Sequence, residues 1–162
     1  MDPLTAEHVV AVAKAILETA DVCFLITQGE AEGASARLMQ HFTPEADLTL
    51  WFGTSAASRK VHELRSTPRA TVACQDPRRP AYAVLGGVVT VEEHARQWWR
   101  YWRHEWQTFW PEGPMAADYL LLRFACERVE VLNVEARMPP PPYGWRAAVV
   151  VRRGGGWQLE RG

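Results

Sequence analysis

The stretch "WFGTSAASRK", residues 51–60, brings hydroxyls and cations together at the end of an apolar run. Thr54, Ser55 and Ser58 can each donate a hydrogen bond, and Arg59 and Lys60 carry fixed positive charge. A strand that passes into a helix here would add unpaired backbone N–H groups and the positive end of a helix dipole. Those are the parts of a phosphate site, because Arg grips phosphate oxygens in pairs and Lys supplies a compact point charge. Hydroxyl caps with nearby cations also occur on solvated helices that bind nothing, so both readings stand. Cations in a helix's first turn are unfavourable by roughly 0.3–1 kcal/mol, a mismatch that an anionic partner would relieve. Neither a Walker loop nor G-x-G-x-x-G is present, which argues against an ordinary nucleoside triphosphate or dinucleotide site.

The remaining reactive side chains are less suggestive. Cys23, Cys74 and Cys126 are odd in number, far apart and set among apolar residues, as buried thiols would be. The five histidines lack ligand spacing, so no metal site is expected. His41 could carry a proton, or could be a histidine whose ring is simply satisfied by its neighbours. A formal net charge of −1 argues against a nucleic-acid binder, which needs an excess of Lys and Arg over one surface. Asp2 stands where an export signal would carry a cation, and no run of 18 apolar residues suggests a membrane span. The expectation is a cytoplasmic protein with no membrane partner.

The elements that would position the opening stretch read as mainly β, within a single domain over residues 1–162. Thr5 is a candidate cap for a helix within residues 1–20, with Val9, Val12, Ala13, Ile16 and Leu17 on one face. "VCFLITQG" and "ASARLMQHF" read as a hairpin across "GEAEG", with Arg37, Met39 and His41 on one face of the second arm. "LTLWFGT" is a third strand. Ala57, Val61 and Leu64 then suit a short helix that ends near Pro68. "ATVACQ" and "AYAVLGGVVTVEE" follow as strands, with Gly86 and Gly87 permitting a bulge. After a long strand, "YLLLRFACERVEVLNV", the stiff run "MPPPPYG" leads to a C-terminal hairpin within residues 139–162.

Between the last two long strands lies "QWWRYWRHEWQTFW". Trp98, Trp99, Trp102, Trp106, Phe109 and Trp110 recur at steps of one, three or four, which predicts one face of a helix over residues 94–110. That face would suit a buried core or an aromatic-rich subunit interface, or could border a flat cofactor. A stacking platform for single-stranded nucleic acid fits less well, because Arg96, Arg100 and Arg103 fall toward the other side.

Taken together, "SARLMQHF", "LTLWFGTSAASRKVHELRSTPRATVACQDPRRPAYAVLGGVVTVEE" and "FWPEGPMAADYLLLRFACERVEVL" resemble the FMN-binding split barrel of the pyridoxamine 5′-phosphate oxidase-like superfamily, nearest its bacterial general stress protein subgroup. The resemblance covers most of residues 20–132. It implies a six-stranded antiparallel barrel core within residues 21–134, and a homodimer holding FMN in a groove at the subunit interface. Carried onto this chain, Arg37, Leu38 and Met39 would lie along the isoalloxazine, and Thr54 and Ser55 would meet the phosphate end. Arg59 and Lys60 would be its charge partners, Ser58 a further contact, and Trp110 would reach the partner's flavin. The implied activity is that of a flavin-dependent oxidoreductase of unassigned substrate. A C-terminal R-x-H element for pyridoxamine phosphate is absent from "WRAAVVVRRGGGWQLERG", so that substrate is not implied. A non-catalytic flavin-binding or redox-sensing protein, and a flavin-free dimeric interaction module, are the alternatives.

Overall fold

Thr5 starts the first helix, its side chain accepting a hydrogen bond from the His8 N–H at 3.1 Å. Helix α1 (Ala6–Thr19) then buries Val9, Ala13, Ile16 and Leu17, a stripe with the 3.6-residue period, against the core. The computed structural model describes residues 4–29, 33–93, 95–142 and 146–160. Strands β1 (Val22–Gly29) and β2 (Gly33–Gln40) form the expected hairpin, with Val22 opposite Gln40; its turn residues 30–32 lie outside the described residues. Next come β3 (Leu50–Ser55), α2 (Arg59–Ser66), β4 (Arg69–Gln75) and β5 (Ala81–Glu92). The short α3 (Ala95–Arg100), β6 (Tyr119–Asn133), β7 (Ala148–Arg153) and β8 (Gly156–Leu159) complete the chain.

The strands pair antiparallel in one eight-stranded sheet of order β2-β1-β4-β5-β6-β7-β8, with β3 also on β6. Long β6 is shared: Tyr119–Phe124 pair with β3, and Arg128–Val131 pair with β7. The C-terminal hairpin therefore extends the sheet beyond the six strands expected of the barrel. Those six, β1 to β6, curl until the Phe42 N–H just past β2 donates to the Trp51 carbonyl of β3 at 3.1 Å. Inward-facing Leu25, Phe52, Val72, Leu85, Leu122 and Phe124 are fully buried in the barrel. The register of β5 on β6 shifts between Gly86 and Gly87, as a bulge requires. A Cβ at Gly87 would stand 2.1 Å from the Ala125 carbonyl oxygen, so close backbone approach demands glycine there.

Two local expectations need correction. Residues 95–110 are not one helix: α3 ends at Arg100, Arg103 is extended, and a 3-10 turn covers His104–Thr108. Trp102, Trp106 and Trp110 pack around Tyr119, with Trp102 and Trp110 ring centres 5.1 and 5.0 Å away, while Trp99 and Phe109 are exposed. A straight helix, with its apolar residues on one stripe, could not wrap the three indoles around a single ring. Helix α2 begins at Arg59, so Ala57 lies before it and is exposed, while Val61 and Leu64 are buried as the spacing suggested. The proline run is anchored at its start, where Met138 is buried and bridges Asn133 at the end of β6; residues 143–145 lie outside the described residues. Among the described residues no helix is long and apolar enough to cross a membrane.

Candidate functional site

Helix α2 packs against β1 and β5, and its polar side chains reach residues of β1, β2 and β3. On one side Thr27 of β1 donates to Glu63 Oε2 at 2.5 Å, and Arg37 Nη2 of β2 reaches the same oxygen at 3.2 Å. Arg37 Nη1 also donates to the Thr27 hydroxyl and to the Leu25 carbonyl. On the other side Lys60 Nζ donates to Thr54 Oγ1 of β3 at 2.9 Å, and the Ser58 hydroxyl lies 3.5 Å from the same oxygen. Arg59 Nε, on a mostly exposed side chain, sits 3.4 Å from Glu63 Oε1. Thr27, Thr54 and Glu63 are buried, and Lys60 is half-buried.

The electrostatics are one-sided. Arg37, Arg59 and Lys60 bring three positive charges to the single carboxylate of Glu63. Burial, and then the nearby Arg37 guanidinium, hold the Lys60 ammonium below its usual range against the opposing pull of Glu63. The first turn of α2 has no acidic residue, and the Ser58 side chain makes no capping bond. The N–H groups of Arg59 and Lys60 are among the donors that a helix start leaves without an intrahelical partner. An excess of about two positive charges beside free N–H donors matches a phosphate monoester, which carries about −1.5 to −2. On charge and donor chemistry, the residues present fit the phosphate end of FMN.

Glu63 organises this cluster, and its carboxyl is held below the ordinary carboxylate range by the Thr27 hydrogen bond and by the Arg37 guanidinium. Because the folded-state value is depressed, the stabilisation is complete above the ordinary value near 4.5 and is lost as pH falls through the folded value. Glu63→Ala should leave Arg37 and Lys60 unopposed and cost about 3 kcal/mol at neutral pH. Urea denaturation should also show a flatter acid arm of the stability curve in the variant; an unchanged arm would contradict the role.

The predicted site residues separate into groups. Arg37, Thr54, Ser58, Arg59 and Lys60 are brought together, while Met39 packs partly buried against the core. Leu38 points to the opposite face of β2 and is 58% exposed. The Ser55 hydroxyl turns away from the cluster and donates to Asp118 Oδ2. Trp110 joins the outer aromatic group, edge-on to Trp102, Trp106 and Tyr119. His41 is 5% exposed, with its ring nitrogens 2.8 and 3.0 Å from the carbonyl oxygens of Phe42 and Ala20, so the ring is buried between two backbone acceptors. The cysteines are buried thiols: burial pushes Cys23 and Cys126 up to about 12 and Cys74 up to about 11.

Thr27, Glu63 and Asp118 escaped the sequence reading. Glu63 follows Arg59 and Lys60 at helical spacing, which is a signal of sorts. Nothing local announces that it meets β1 and β2.

Among curated proteins the sequence finds no match. Solved structures do resemble the fold. A Clostridium acetobutylicum protein related to general stress protein 26 of B. subtilis superposes with a TM-score of 0.70 at 18% identity, covering 78% of this chain and 89% of its own. General stress protein 26 from Bacillus anthracis gives 0.67 at 18% identity, covering 77% and 94%. A pyridoxamine 5′-phosphate oxidase-related, FMN binding protein from Nostoc punctiforme gives 0.64 at 16% identity, covering 93% and 91%. At these identities the likeness speaks for the split-barrel fold alone. The sequence itself matches the family model "Pyridoxamine 5′-phosphate oxidase like" over residues 7–138, from the first helix to the start of the proline run. The chain belongs to the pyridoxamine 5′-phosphate oxidase-like family.

Proposed function

We propose that the protein binds FMN across the split of the barrel and acts as a homodimeric, flavin-dependent oxidoreductase. One observation carries the reading: the excess of positive charge that Arg37, Arg59 and Lys60 build over Glu63 at the start of α2. The FMN binding protein from Nostoc punctiforme, similar in fold, lends it support. In the proposed complex Lys60, Arg59, Thr54, Ser58 and the first N–H groups of α2 hold the phosphate. Arg37 and Met39 run beside the ring system, and Leu38 between them contributes backbone groups only, its side chain being on the other face of β2. When bound, FMN supplies one- and two-electron redox chemistry.

The chain's own part is to fix the cofactor's orientation and to shield its buried edge from water. Exposed Val22, Phe24 and Leu38 on the outer face of the β1–β2 hairpin support a second subunit in this arrangement. On this reading the free edge of half-buried Trp110 meets the flavin of the partner subunit. Oxidation of pyridoxamine phosphate is not part of the proposal, since the C-terminal strands lack the R-x-H element.

Gel filtration after incubation with FMN tests the proposal. Flavin absorbance should travel with protein of dimer size, and bound flavin, once reduced, should pass electrons onward faster than free FMN. Co-elution without faster transfer would leave a flavin carrier or redox sensor. A protein peak with no flavin would leave a flavin-free interaction module.

A further inference from the structure

The segment joining β3 to α2 is held from outside by one residue. Asp118, just before β6, accepts the Ser55 hydroxyl on Oδ2 at 2.5 Å and the Ala57 N–H on Oδ1 at 3.1 Å. Its backbone carbonyl accepts the Ala56 N–H at 2.7 Å. The consecutive residues 55–57 are thus all tied to Asp118. The Ser58 N–H then donates to the Ser55 carbonyl at 3.1 Å, closing the turn from which α2 departs. Arg59 and Lys60 are the first two residues of that helix. Where the turn sits therefore decides where their N–H groups and cationic side chains point.

We propose that Asp118 is the positioning residue of the phosphate grip, holding the Ser55–Ser58 turn so that α2 presents Arg59 and Lys60 to the cofactor phosphate. By this route it sets the preference for FMN over riboflavin, which lacks the phosphate. The inference rests on the FMN reading above, and it gives Ser55 a different part, that of a buttress acting through Asp118. The Asp118 carboxylate opposes an incoming phosphate in principle. It is exposed, however, and water and salt screen such a charge, so geometry governs the outcome.

The test is titration of the full chain and its variants with FMN and with riboflavin. Asp118→Ala should weaken FMN binding by about tenfold, as misplacement of a binding group does, and leave riboflavin binding unchanged. Asp118→Asn, which retains an acceptor for part of the network, should fall between. Ser55→Ala disturbs less and serves if Asp118→Ala folds poorly; it should lower the FMN-to-riboflavin preference in the same direction. The double variant should be no worse than Asp118→Ala alone, whereas additive losses would place Ser55 directly on the phosphate. Equal loss of both ligands would show a merely structural role, and tighter FMN binding in the Asp118 variants would show simple charge repulsion; either result overturns the inference. If the unaltered protein binds no FMN, the proposed function falls and this role falls with it. If it binds FMN and the preference survives Asp118→Ala, only the positioning role is lost.

Discussion

Lys60→Glu should lower FMN affinity by at least about 100-fold, roughly 3 kcal/mol, while leaving the protein as stable as before. Lys60 reaches Thr54 from the first turn of α2, half-buried and beside Arg37, so its charge is poorly solvated and poorly compensated without a ligand. A phosphate would supply the missing counter-charge at short range, where charge-assisted bonds are strongest. Reversal removes that bond and sets a carboxylate against the phosphate. In the ligand-free protein the new carboxylate finds Arg37 and the Thr54 hydroxyl within its surroundings, which is why folding should not suffer. Thermal melts paired with FMN titrations separate the two effects. Unchanged affinity would remove Lys60 from the site, and a collapse of the melt would show that its role is in folding. Since Lys60 must stay protonated to pair with phosphate and its free-state value is lowered, FMN affinity should also decline as pH rises into the alkaline range.

Gly53→Ala should destabilise the fold by about 3 kcal/mol, the upper end of the usual cost of overpacking. A Cβ at Gly53 would lie 2.3 Å from Trp106 Cζ3 and 2.8 Å from the Tyr119 hydroxyl oxygen. Trp106 is nearly buried, its indole N–H donates to Gln40 Oε1 at 3.2 Å, and its ring packs on Phe42, Trp102 and Trp110. Tyr119 is equally fixed, its hydroxyl donating to the Tyr101 carbonyl at 2.6 Å. Neither ring can retreat without breaking these contacts. For a chain of this length the loss corresponds to a melting temperature lower by about 10 °C. A shift below a degree or two would mean that the aromatic layer over β3 yields freely.

The glycine of "WFGTS" shows why some of this architecture was legible in the sequence and some was not. The apolar run, the turn residues and the cations marked a strand, a turn and a helix start, because each is a local pattern. Thr5 capping α1 and the Gly86–Gly87 bulge were readable for the same reason. That Gly53 makes room for Trp106 depends on a segment some fifty residues away, which the aromatic spacing suggested as a continuous helix. Trp102, Trp106 and Trp110 pack around Tyr119 instead, and periodicity records spacing without recording what the rings surround.

Burial decided the fate of the site residues in the same way. Arg37 could be set on one face of its strand from alternation alone, and it does face the core side of β2. Its partner Glu63 and the Thr27 hydroxyl come from α2 and β1, and only the curl of the sheet brings the three together. The Ser55 hydroxyl, a donor by residue type, goes to Asp118, which is remote in sequence and has no local signal.

Whether the cationic start of α2 grips the phosphate of FMN is read by an equilibrium titration of the unaltered protein with FMN and riboflavin, followed by flavin fluorescence. Binding of FMN should saturate at one per chain, with riboflavin bound at least about 30-fold more weakly. Equal affinity for the two, or no saturable binding of FMN, would contradict that grip.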